Sequence, residues 1–112
     1  MAGKPIRKAT FVFKPAFEQS LQTFARRDPQ VTKNLAAFIT AKTERPPVPL
    51  SRGMRDHSLT GQLSAFKECH LAGDACLIYT DKADVVTLLI IVDHDDMYGP
   101  KSKALAKRIA AP

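Results

Sequence analysis

Residues 63–93 read LSAFKECHLAGDACLIYTDKADVVTLLIIVD, and the fold turns on this run. Leu63 to Leu71 and Cys76 to Thr80 are apolar and aromatic stretches separated by Ala72-Gly73, so they read as the two strands of a hairpin. Val85 to Asp93 is apolar except for Thr87 and reads as a third strand. Its apolar density predicts a central place in the sheet. Asp81 to Asp84 supplies the turn into it. The first hairpin has two possible loops. A three-residue loop, Leu71-Ala72-Gly73, puts Gly73 in the left-handed position and leaves His70 facing Asp74 across the strands, roughly 5 Å away. A two-residue loop, Ala72-Gly73, sends them to opposite faces. The three-residue loop is the expectation.

Outward from this run, Ala9 to Phe13 reads as a further strand. Pro15 suits the start of a helix, and Phe17, Leu21 and Phe24 follow at spacings of four and three, a helical stripe. Asp28-Pro29 ends that helix. Asp28 then caps a second helix with Pro29 in its first position, and Val31, Leu35, Phe38 and Ile39 form its stripe. The join is so short that the two helices form an antiparallel hairpin. Glu44 to Gly53 holds Pro46, Pro47 and Pro49 and must run extended. Lys101 to Ala111 reads as a basic, alanine-rich helix with Leu105 and Ile109 on one side. The expected fold is α+β: a four-stranded antiparallel sheet, a helical hairpin on one face and an extra C-terminal helix. The 112 residues suffice for one domain, with 1–8 a flexible basic arm and 99–112 a helical extension.

Charge is unevenly spread. The net +6 divides into +8 over residues 1–55, −6 over 56–96 and +4 over 97–112. Basic flanks around an acidic centre suggest a polyanion-binding rim. No run of about 18 apolar residues occurs, so no membrane span is expected. The N-terminal charges precede no apolar segment of the secretory kind. Cys69 and Cys76 fit a reduced, cytoplasmic protein, with a single disulfide as the alternative.

The candidate chemistry is carried by His57, His70 and His94. Each has an acid nearby in sequence: Asp56, Asp74, and Asp93 with Asp95. Imidazole beside carboxylate can donate or accept protons near neutral pH. Cleavage of RNA needs such groups, since a base takes the 2′-OH proton and an acid protonates the leaving 5′-oxygen. No CxxC or HxxxH chelating pair is present, so no metal or other cofactor is expected.

These motifs resemble a known family. Asp56-His57-Ser-Leu59-Thr-Gly61, Phe66-Lys-Glu-Cys-His70, Gly73-Asp74, Leu77-Ile78-Tyr79 and His94-Asp-Asp-Met-Tyr98 are similar to the YafQ branch of the RelE/ParE toxins. The resemblance covers about 45 residues by motif. It implies a RelE-like fold, a ribosome-dependent messenger-RNA endonuclease that needs no metal, and a cognate antitoxin as partner, with the ribosome and messenger RNA as targets. By matched position it implies His57, His70, Asp74 and His94 as the acid–base set, with His70 and Asp74 near the nucleophile and His94 near the leaving group. Tyr98 is implied as the supporting aromatic. Lys67, Arg52, Arg55, Lys101 and Lys103 are the expected substrate-binding cations. Two positions depart from the pattern: the family Arg falls on Ile90 and the family Trp on Ala75. Loss of one charge-stabilising group costs about 10²–10³ in rate, and loss of a stacking platform about 1–3 kcal/mol. Two further readings stand beside the nuclease: a non-catalytic module binding antitoxin, ribosome or another polyanion, and a ParE-like inhibitor of DNA gyrase.

Overall fold

The structure is a computed structural model that describes residues 8–110. Residues 1–7 of the expected basic arm lie outside the described residues. Lys8, the last residue assigned to that arm, bridges to Glu44, with its ammonium 2.6 Å from the carboxylate.

The elements are β1 (Thr10–Phe13), α1 (Pro15–Arg27), α2 (Gln30–Thr43), β2 (His57–Ser58), β3 (Lys67–Ala72), β4 (Ala75–Lys82), β5 (Val85–Asp93) and α3 (Pro100–Ala110). Three short 3₁₀ turns, at Arg52–Met54, Gly61–Leu63 and His94–Met97, join them. The sheet has five strands in the order β1-β5-β4-β3-β2. It is mixed, which corrects the four-stranded antiparallel expectation. β1 runs parallel to β5, with Thr10 opposite Val85 and Phe13 opposite Leu88. Parallel neighbours require a crossover, and here β1 and β5 are separated by nearly the whole chain. β2 is two residues long, too short for a periodic signal, and pairs with β3 at the far edge. β5 lies between β1 and β4, while β4 takes the middle of the sheet.

The two helices behave as their stripes predict. α1 starts at Pro15, where the missing amide costs nothing. Asp28 Oδ1 accepts the Gln30 amide at 2.9 Å and so caps α2. α1 packs on β5 and α2 on β3. Phe17, Val31, Leu35 and Phe38 are buried there against Cys69, Leu71, Leu77, Tyr79, Val86, Leu88 and Ile91.

The opposite face of the sheet has its own core. Leu59, Leu63, Cys76, Ile78, Ile90, Val92 and Met97 close around Leu105 of α3. The helices therefore cover both faces, and the C-terminal one is part of the packing. β5 carries a bulge. Ile78 pairs with Ile90 but Tyr79 pairs with Leu88, so Leu89 is an extra residue in β5. Strand side chains alternate, and the insertion reverses the alternation. Val86 and Leu88 consequently face the helical hairpin, whereas Ile90 and Val92 face α3.

Candidate active site

Strand geometry assembles the site. Glu68 and His70 are two apart on β3 and share a face. Directly opposed residues on neighbouring strands also share a face. His57 on β2 opposes Glu68, and Cys76 on β4 opposes His70. Four side chains from three strands thus converge on the α3 side of the sheet.

Glu68 stands at their centre and is 1% exposed. His57 Nδ1 lies 3.2 Å from Glu68 Oε2 and His70 Nδ1 lies 3.8 Å from Oε1. His57 Nδ1 also lies 2.5 Å from the Arg55 carbonyl oxygen. Both neighbours are acceptors, so Nδ1 carries a hydrogen. The His57 side chain is 46% exposed, enough for an incoming group to reach Nε2. Arg55 adopts φ +49°, which turns its carbonyl onto the imidazole. His70 has the reverse arrangement. Its Nε2–H donates to the Gly73 carbonyl at 2.7 Å, and Nδ1 turns inward, 3.7 Å from Cys76 Sγ. His94 opens the 3₁₀ turn after β5, and its backbone N–H donates to the Asp74 carbonyl at 2.8 Å. Its ring centroid is 6.0 Å from that of His70 and 5.0 Å from that of Tyr98. The three imidazoles and Tyr98 therefore form one continuous group.

Glu68 dominates the local field. Burial first, and the Glu68 charge second, push the Cys76 thiol well above its ordinary pKa. That thiol stays protonated in the folded chain. Burial does the same to Cys69, followed by the charge of Asp56. The two cysteines are free and buried on opposite faces of the sheet, in different cores.

Some expected site residues are placed differently. The hairpin turn is Gly73-Asp74, with Gly73 at φ +51° and Ala72 opposite Ala75. Leu71 is a bulge, and His70 pairs with Cys76. The three-residue loop is therefore corrected, and Asp74 is not the cross-strand partner of His70. Asp74 contributes its carbonyl to His94, while the residue lines a groove with Arg27, Asp28 and Asp93. Asp56 is likewise taken up elsewhere: its carboxylate accepts from Lys42 at 2.6 Å and from the Tyr79 hydroxyl. Alternation puts Lys67 on the face opposite Glu68, beside Cys69. Arg55 and Arg52 are exposed, two and five residues before His57 in the chain. Lys101 lies 3.9 Å from Asp96, and Lys103 is exposed on α3. Ile90 and Ala75 are 2% and 3% exposed, so neither position offers a polar group to a ligand. With α3 in place Tyr98 remains 51% exposed and the His57 side chain 46% exposed.

Sequence reasoning missed Glu68. The signal was available: an acid two residues before His70 on a strand must share its face.

Known proteins resemble the chain closely in fold. The family model for YafQ, described as a bacterial toxin of type II toxin-antitoxin systems, matches residues 9–99. A Haemophilus influenzae protein named as a YafQ toxin is 28% identical over 76 residues, which span 68% of this chain and 72% of that protein. A copper-bound mutant toxin from Helicobacter pylori superposes with TM-score 0.63 at 25% identity, covering 80% of this chain and 99% of that one. The YafQ chain of the E. coli DinJ-YafQ toxin-antitoxin complex superposes with TM-score 0.65 at 17% identity, covering 82% and 99%. The family match ends at Gly99, one residue before α3 begins.

Proposed function

The chain belongs to the YafQ toxin family of type II toxin-antitoxin systems, and on that premise we propose that it cleaves messenger RNA on the ribosome by side-chain acid–base chemistry. One observation carries the reading: His57 and His70 flank a buried carboxylate, and His94 and Tyr98 adjoin them. His57 Nε2 is the base that takes the ribose 2′-OH proton, and Glu68 at 3.2 Å stabilises the imidazolium that results. The 2′-oxygen attacks phosphorus, a 2′,3′-cyclic phosphate forms, and the P–O5′ bond breaks. His94 protonates the departing 5′-oxygen. Tyr98, half exposed beside His94, stacks on a base. The basic flanks, Arg52 and Arg55 on one side and Lys101 and Lys103 on the other, hold the phosphates. His70 and Asp74 position rather than react: His70 ties the Gly73 turn to β3, and the Asp74 carbonyl fixes the backbone of His94.

The setting proposed for this activity is the cytoplasm, where the ribosome is the site of action and a cognate antitoxin is the silencing partner. Among the described residues no helix is long and apolar enough to cross a membrane. The test is cleavage of ribosome-bound messenger RNA by purified protein. His94→Ala should lower the rate by about 10²–10⁴. Intact messenger RNA with the wild-type chain overturns the reading.

A second reading has its own support. Ile90 and Ala75 fill with core the positions where the family carries Arg and Trp. A binding module of this fold would engage antitoxin or ribosome without cutting. It predicts ribosome association that weakens steeply with salt, and equal growth effects for wild type and His94→Ala.

A further inference from the structure

We propose that Glu68, His70 and Cys76 form a binding site for a soft or borderline divalent cation of the zinc type. The three offer one carboxylate, one imidazole and one sulfur, and their ligand atoms all lie within 4.8 Å of one another. Tetrahedral bonds of about 2.0–2.3 Å imply donor separations of about 3.3–3.6 Å. The Nδ1 to Sγ distance is 3.7 Å and the Nδ1 to Oε1 distance is 3.8 Å. Both separations from Nδ1 are thus within about half an ångström of the tetrahedral values.

Two features point to a ligand there. Glu68 Oε1 is buried and has no hydrogen-bond partner. An orphaned carboxylate oxygen in the interior is costly, and a cation would satisfy it. His70 is also held in the tautomer a metal needs. Its Nε2–H donates to the Gly73 carbonyl at 2.7 Å, so Nδ1 is the ring nitrogen left facing Sγ and Oε1. A metal-ligating histidine characteristically gives its other N–H to a carbonyl or carboxylate in this way. The mixed nitrogen, oxygen and sulfur donor set favours zinc-like ions over magnesium or calcium. Binding replaces the Cys76 S–H bond by a metal–sulfur bond and releases the proton to solvent.

The sequence offers no chelating pair of ordinary spacing here. The site comes from strand register: residues 68 and 70 share a face, and residue 76 opposes residue 70. Binding does not depend on the proposed nuclease reaction. One consequence does. An ion on Nδ1 would take His70 and Glu68 away from the acid–base group, so zinc would inhibit cleavage.

The experiment uses the full chain, stripped of metal and titrated with cobalt as the spectroscopic probe, then with zinc in competition. The expected result is one ion per chain with thiolate-to-cobalt charge-transfer absorption. Cys76→Ala should lose the band and weaken binding by more than about 100-fold, while Cys69→Ala keeps both. Binding that survives Cys76→Ala unchanged, or no binding by the folded wild-type chain, overturns the proposal. Should Cys76→Ala fail to fold, imidazole nitrogen resonances of the wild-type chain decide. Zinc on His70 Nδ1 with Nε2 still protonated supports the site, and an unmoved His70 refutes it. Zinc that binds but leaves cleavage unaffected would remove only the inhibitory consequence.

Discussion

Two carboxylates, one near each face of the sheet, are treated in opposite ways. On the helical-hairpin side Asp56 receives the Lys42 ammonium at 2.6 Å and the Tyr79 hydroxyl, and Lys42 itself lies over the Phe38 and Tyr79 rings at 5.9 and 5.3 Å. A full positive charge and a hydroxyl answer the carboxylate. On the other side Glu68 is buried more deeply, yet its neighbours are two imidazoles and a thiol, and one oxygen has no partner. Satisfied buried charges belong to the architecture. A buried charge left incompletely answered among titratable groups is the mark of chemistry.

That contrast can be broken by substitution. The largest expected effect is on Glu68→Gln. Losing the charge that steadies His57 should cut messenger-RNA cleavage by about 10² or more, while thermal stability stays level or rises, because a neutral isostere replaces a buried ion. Cleavage assays paired with thermal melts check both halves. Asp56→Asn should do the reverse. It strands the Lys42 ammonium in the core and should cost about 3–5 kcal/mol by denaturant unfolding. If the two variants lose equal stability, the distinction between the two carboxylates fails.

A smaller effect tests the second core. Leu105 is 1% exposed under α3. Leu105→Ala should cost about 2–3 kcal/mol, measured again by denaturant unfolding. No loss would mean that α3 is not needed to close that face.

The smallest effect is on pH dependence. Cys69, Cys76 and Tyr79 are all held above their ordinary pKa values, by burial first and by neighbouring acids second. Their unfolded forms ionise from about pH 8.5 for the thiols and about pH 10 for the phenol. Above those values the unfolded chain binds fewer protons than the folded one, so stability is full below them and falls as pH rises. Each thiol should cost about 1 kcal/mol at pH 9. Melting curves at pH 7, 8 and 9 check this, and Cys76→Ala should remove about half of the fall, leaving the share of Cys69.

Much of this molecule was legible in its residues. Helical stripes at Phe17, Leu21 and Phe24 and at Val31, Leu35 and Phe38 placed α1 and α2, because a helix must bury one face. The apolar run Val85 to Asp93 placed β5, and the histidine-containing motifs pointed to the family. Local sequence could not supply the parallel pairing of β1, whose partner lies some 75 residues away. It could not supply the two-residue β2 either, or the bulge at Leu89 that turns Ile90 toward α3.

The residue types able to move protons, and the basic flanks around them, were determined by the sequence alone. Which of them meet was decided by tertiary structure. Strand register brought Glu68 between His57 and His70, set Cys76 opposite His70, and left Asp74 in a turn where its carbonyl rather than its carboxylate is used. The physical reason is that side-chain direction in a sheet has a period of two. A single inserted residue, at Leu71 or at Leu89, decides which face every later side chain occupies.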